Sequence, residues 1–140
     1  MRSLEIRDRI IARLLDHGVR PTAQRVEIAL QVLDRPCHFS AEQLLDSLRR
    51  DGHGVSKATV YNTLNLFSRQ GLIREIAVNP DRLLYDSTID PHHHFYNADT
   101  GELVDIHPAD VRISRLPALP RATETESVEI IIRVRQRSAG

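Results

Sequence analysis

Apolar residues recur at helical spacing through four stretches and then switch to alternation. Leu4, Ile10, Ile11, Leu14 and Leu15 share one face of a helix over 4–16, which Gly18 stops. Thr22 can cap a second helix with Val26, Ala29, Leu30 and Leu33 inward, and Pro36 ends it. Ser40 with Gln43 three residues later is a capping-box pattern, opening a third helix with Leu44, Leu45 and Leu48 inward. Asp51-Gly52-His53-Gly54 reads as a loop. Ser56 can cap a fourth helix over 57–70, whose buried stripe is Val60, Leu64 and Phe67 and whose end is Gly71. Leu72–Val78 and Leu83–Asp86 then read as two strands around a turn at Asn79-Pro80-Asp81. Helices followed by a two-stranded wing describe a winged helix-turn-helix.

Past residue 86 the pattern changes. Residues 92–97 and 102–107 can pair as a hairpin over Ala98-Asp99-Thr100-Gly101. Pro108–Leu116 reads as a short helix, and Leu116-Pro117-Ala118-Leu119-Pro120 as a stiff connector. In a last strand over Ser127–Arg135, Val128, Ile130, Ile132 and Val134 share one face and Ile131 lies on the other. Such a strand in a small module needs a partner, and a dimer with a shared sheet supplies one. The expected class is α+β: a winged helix-turn-helix domain over 1–86, a hinge over 87–91, and a small α/β dimerisation and ligand-sensing domain over 92–140.

Composition narrows the picture. The chain has 140 residues, enough for one domain or two small ones. No apolar run reaches the roughly 18 residues that span a bilayer. The N-terminus lacks the apolar core of a signal peptide. Cys37 is the only cysteine, so neither an internal disulfide nor a Cys-x-x-Cys zinc clamp can form, and a reducing cytoplasm is expected. Net charge is zero but unevenly spread. Residues 1–84 carry 13 Lys and Arg against 10 Asp and Glu, whereas 85–140 carry 6 against 9. A positive half beside a negative one suits a DNA module joined to a cation-binding module.

The candidate chemistry matches that division. With its apolar stripe inward, the fourth helix turns Lys57, Ala58, Tyr61, Asn62, Asn65 and Arg69 outward. A phenol, two amides and two cations suit base edges and phosphates in a major groove; an ordinary solvated face is the plainer reading of the same residues. His92-His93-His94 is the other feature. On an extended chain His92 and His94 point one way and His93 the other. Asp105 falls across the proposed hairpin from His94, Asp86 ends the wing, and His38 can reach over from the first half. Such a mixed N/O set suits Fe(II), Mn(II) or Zn(II) better than a thiolate metal. Taken singly, His38 reads as a loop residue and the two aspartates as surface carboxylates.

These residues resemble the ferric uptake regulator family. The matching pieces are Gly18-Val19-Arg20-Pro21-Thr22-Ala23-Gln24-Arg25, His38-Phe39-Ser40-Ala41-Glu42, Ala58-Thr59-Val60-Tyr61-Asn62-Thr63-Leu64, Gly71-Leu72-Ile73, His92-His93-His94 and Gly101-Glu102-Leu103-Val104-Asp105-Ile106. The resemblance implies a dimeric winged-helix regulator of transcription. It implies that Arg20 approaches a minor groove, Arg25 contacts the backbone and Tyr61 touches thymine methyls, with Lys57, Thr59 and Asn62 beside them. It implies a five-ligand regulatory site of His38, Asp86, His92, His94 and Asp105. The family's structural zinc cysteines are missing, so no structural zinc held by four cysteines is expected. Their loss, with the triple histidine, looks most like the iron response regulator branch, which responds to haem. Haem here would rest on His92, His93, His94 and Cys37, since the branch's Cys-Pro motif is absent.

The expectation is a homodimeric regulator of iron or haem homeostasis that binds palindromic double-stranded DNA. A divalent metal, Fe or Mn before Zn, or haem is its effector. Peroxide sensing through metal in the same site is the alternative. A small His/Asp metalloenzyme is a rival of another class, but the sequence offers no separate general base, nucleophile or phosphate loop. A haem or metal carrier without DNA function is a further rival.

Overall fold

The computed structural model describes residues 2–138, and it falls into two compact units, 1–89 and 90–140. The first unit contains α1 (Arg2–Asp16), α2 (Ala23–Leu33), β1 (His38–Ser40), α3 (Ala41–Arg50), α4 (Lys57–Arg69), β2 (Arg74–Asn79) and β3 (Arg82–Asp86). Its helices start where the sequence provides oxygen acceptors. The Thr22 hydroxyl accepts from the Arg25 amide, Ser40 and Gln43 close a reciprocal capping box, and Ser56 accepts from Thr59. Gly18 (φ 72°) and Gly71 (φ 77°) take the left-handed conformation just beyond α1 and α4. The inward faces merge into one core that includes Leu14, Val26, Leu48, Val60, Leu64 and Phe67.

The wing has three strands, ordered β1-β3-β2, rather than the two expected. Residues 38–40 form a short strand against β3, pairing His38 with Asp86 and Phe39 with Tyr85. Three residues carry too little periodicity to read as a strand alone; the buried Phe39–Tyr85 stack, with ring centroids 5.4 Å apart, defines it.

The second unit is a three-stranded sheet of β4 (His93–Asn97), β5 (Leu103–Ile106) and β6 (Ile131–Val134), ordered β5-β4-β6. The hairpin registers as expected, with His94 opposite Asp105. Its turn is held by the Asn97 side-chain oxygen, which accepts from the amides of Asp99 and Thr100. Two expectations need correction. The Pro108–Leu116 helix shrinks to a single 3-10 turn, Pro108–Asp110. Val111 and Ile113 are β-branched, and Pro117 restricts Leu116, so helix propagation is opposed on both sides. The late strand is shorter than expected and lies parallel to β4 of its own chain, so it needs no second copy to complete its pairing on that side.

Candidate DNA-reading surface and metal donors

On α4, Lys57 and Asn62 are exposed, and Tyr61 is half-buried with its ring packed against the core. Lys57 Nζ stands 5.8 Å from the centre of that ring. The Tyr61 hydroxyl donates to Glu42 Oε1 at 2.6 Å. That bond holds the Glu42 carboxyl below its ordinary range and pushes the Tyr61 phenol above its own. The Thr59 and Ser56 hydroxyls bond each other at 2.9 Å, so Thr59 is tied into the helix cap. Between α4 and β2 runs an open groove lined by Asn62, Asn65, Ser68, Arg69 and Glu75. Arg20 is exposed, and its carbonyl accepts from Arg25 Nη1 at 3.1 Å. The six sequence-expected DNA residues thus lie on α4 and around the start of α2, all in the first unit.

The metal-type residues fall into two sets. In the first unit His38 and Asp86 are direct cross-strand partners, with His38 Nε2 3.2 Å from Asp86 Oδ2. Asp86 is buried, and its other oxygen accepts from the Thr88 amide at 2.8 Å. In the second unit, His92 and His94 are both buried. Their Nε2 atoms converge on one oxygen, Asp105 Oδ1, at 3.2 and 3.3 Å.

Anchoring on the far side of each ring orients these imidazoles. His92 Nδ1 lies 2.6 Å from the Asp90 carbonyl and His94 Nδ1 lies 3.1 Å from Glu129 Oε1. Both neighbours only accept, so each Nδ1 carries the proton and donates. In the neutral ring Nε2 then carries a lone pair able to ligate a cation. Two ring lone pairs and one carboxylate oxygen brought this close favour a cation among them. That cation is either a proton on a ring or a metal ion. Separations of 3.2–3.3 Å match neighbouring ligands, each about 2.1 Å from a shared first-row ion. Nδ1–H bound to carbonyl or carboxylate is the usual outer support of a ligating histidine. The donor set therefore fits a divalent metal of the Fe, Mn or Zn type.

The haem candidates are placed differently. The His93 ring turns away from His92 and His94, and its Nδ1 accepts from the Ile130 amide at 2.9 Å. Cys37 is half-buried, with Sγ 3.5 Å from the Val32 carbonyl. Burial pushes its thiol pKa up, the Asp86 charge adds to this, and the Ser87 hydroxyl opposes it.

Two residues carry no signal in the sequence. Glu129 anchors His94 across 35 positions, and Glu42 holds Tyr61 across 19. Neither spacing is informative locally, because both contacts are made by tertiary packing.

Four helices with a β-wing, followed by a sheet bearing converged imidazoles, are the architecture of a winged-helix transcription regulator whose second unit carries metal-type donors. The chain belongs to the ferric uptake regulator family, whose profile matches residues 16–132. It is accordingly a regulator of transcription and not an enzyme. A peroxide-responsive repressor of Staphylococcus aureus is 31% identical over 107 residues, covering 76% of this chain and 72% of that protein. Its counterpart in Staphylococcus saprophyticus is 30% identical over 97 residues, covering 69% of this chain and 66% of that one. Among solved structures, the manganese-bound ferric uptake regulator of Pseudomonas aeruginosa superposes with a TM-score of 0.68 at 27% identity, covering 91% of this chain and 97% of that one. The Vibrio cholerae regulator shares the fold, with a TM-score of 0.68 at 22% identity over 90% of this chain and 98% of that one. No described helix is long and apolar enough to cross a membrane.

Proposed function

We propose that this chain is a homodimeric, metal-responsive regulator of iron homeostasis that binds palindromic DNA through α4. The observation that carries the metal assignment is the pair of anchored imidazoles aimed at a single Asp105 oxygen. In this reading His92, His94 and Asp105 would supply three ligands to a divalent ion, and His38 and Asp86 two more. When bound, the ion would supply positive charge to these carboxylates and imidazoles.

The rest is done by the chain's own groups. Two recognition helices in a dimer must lie about 34–36 Å apart to enter successive major grooves. The strength of the DNA response is bounded by the difference in ligand affinity between the two arrangements. Arg20 and Arg25 then meet phosphate or the minor groove, while Tyr61 and Asn62 face bases. A second copy is supported by a contiguous apolar stripe. Val104, Phe95 and Ile132 are aligned neighbours across all three strands of the second unit's sheet, and all are exposed.

Titration calorimetry with Mn(II) tests the metal site. Wild type should bind tightly, and a His92→Ala/His94→Ala protein should not; undiminished stoichiometry in that variant sinks the assignment. In light scattering, Phe95→Glu with Ile132→Glu should yield monomers, and an intact dimer would count against the stripe as its seam.

A second reading, peroxide sensing through bound iron, is favoured by the likeness to peroxide-responsive repressors and by an all-nitrogen-and-oxygen donor set. Peroxide should then change DNA affinity of the Fe(II)-loaded protein and leave the Mn(II)-loaded protein unchanged. Haem acting through His92, His93, His94 and Cys37 is the less favoured effector, because His93 Nδ1 accepts from the Ile130 amide and burial raises the Cys37 thiol pKa.

A further inference from the structure

Tyr61 has two faces to offer DNA, a hydroxyl and a ring, and the structure already uses one of them. Its Oη donates to Glu42 Oε1 at 2.6 Å, a short bond to an ionised acceptor. Glu42 sits in the first turn of α3, where a negative side chain is favoured by the helix dipole. Lys57 and Arg82 add positive charge around it. One flank of the ring is packed on the core and Lys57 lies over it. A carboxylate on a surface meant for polyphosphate is otherwise unfavourable, since it repels the backbone it approaches. Its presence calls for a compensating role.

We propose that Glu42 is a positioning residue for DNA readout: by holding the Tyr61 hydroxyl it fixes the ring, so that Tyr61 meets a base through its apolar edge. The apolar feature it would meet is the thymine 5-methyl group that the family resemblance already implies for Tyr61; what is new is the part played by Glu42. This inference rests on the assignment of α4 as the recognition helix. It adds that sequence preference depends on a residue of α3 with a charge of the wrong sign for DNA.

The test uses the full-length protein with added Mn(II). A duplex is selected from a random pool by the wild type, and affinity is followed by fluorescence anisotropy. Each thymine is replaced in turn by deoxyuracil, which removes only the methyl group. Wild type should lose roughly fivefold at one or two positions, in line with the usual cost of a spoiled base contact. Glu42→Ala should reduce that discrimination to less than about twofold, while its affinity for unrelated duplex stays level or rises. Tyr61→Phe, which removes the bonded hydroxyl, should lose discrimination to the same extent. The Glu42→Ala/Tyr61→Phe double variant should lose no more than either single change. Glu42→Gln keeps an acceptor oxygen and should restore discrimination. Near-ultraviolet titration of the tyrosines, without DNA, should show one phenol titrating at lower pH in Glu42→Ala. Wild-type discrimination in Glu42→Ala, or losses that multiply in the double variant, would overturn the proposal. If instead no duplex is selected, or Tyr61→Ala binds and discriminates as wild type does, the recognition-helix assignment itself fails.

Discussion

Asp105→Asn separates the two ways in which the His92–Asp105–His94 group can be neutralised. In the native protein one carboxylate oxygen faces two Nε2 atoms at 3.2 and 3.3 Å. The amide removes the negative charge and supplies N–H donors to a ring lone pair. Without metal, the substitution relieves a crowd of acceptors. Because the Asp105 side chain is 52% exposed, its effect on stability of the metal-free protein stays within about 1 kcal/mol. With metal, an anionic ligand is lost. Outer partners alone are worth 10- to 100-fold in affinity, so a direct ligand should cost at least about a hundredfold. At free Mn(II) a hundred times the wild-type Kd, binding adds about 2.7 kcal/mol to stability. A Kd a hundredfold weaker leaves about 0.4 kcal/mol at the same concentration. For a chain of 140 residues, and roughly 2.1 cal/mol/K of unfolding entropy per residue, the missing ~2.3 kcal/mol is about 8 °C in Tm. Calorimetric melts with Mn(II) and with chelator read both quantities on one sample. A variant that retains the whole Mn(II)-induced rise would show that Asp105 is not a ligand.

Arg25→Ala should weaken binding to the selected duplex about tenfold and flatten its salt dependence, with Tm unchanged within a few degrees; an unaltered salt slope would remove Arg25 from the phosphate contacts. Cys37 should alkylate much more slowly at neutral pH than a free thiol, because burial disfavours its thiolate; mass spectrometry after iodoacetamide checks this, and rapid modification would refute it. The Glu42–Tyr61 bond should survive a wide pH window. Glu42 has a lowered pKa when folded, so its contribution is complete above the ordinary glutamate value of about 4.3 and is lost as pH falls through the lower folded value. Tyr61 has a raised pKa, so its contribution is complete below about 10 and is lost as pH rises through the higher folded value. The Tyr61 ring resonances should move at both limits in wild type and lose the acid limb in Glu42→Gln.

Much of this was legible because the informative contacts are local. Thr22, Ser40 and Ser56 announce their helices within four residues, and the Asn97 turn sets the register that places Asp105 across from His94. The triple histidine divides between two faces as simple alternation requires. What stayed hidden is non-local. β1 exists only because β3 is there to receive it, and β6 pairs with a strand 37 residues earlier in the same chain. Glu129 and Glu42 acquire their roles through partners far along the sequence. The Pro108–Leu116 helix fails for a different reason: β-branching at Val111 and Ile113 and the approach to Pro117 stop it after one turn.

The middle strand of the second sheet gives alternate residues opposite duties. His94 and Tyr96 look toward the buried side with Asp105, whereas Phe95 looks out between Val104 and Ile132. A chain with one histidine deleted is therefore not a slightly weaker sensor. Whichever codon is lost the product is the same, since the three are identical. If the downstream pairing is kept, the two survivors fill positions 93 and 94, and proline moves to position 92. Only one imidazole from this run then meets Asp105. If the strand instead slides by one residue, the survivors fill positions 92 and 93, still only one of them faces Asp105, and Phe95 and Tyr96 exchange sides so that the apolar seam turns inward. Such a deletion should thus cost the two-imidazole pincer in either register, and in one of them the apolar seam as well, a double loss that no point substitution of a single histidine imposes.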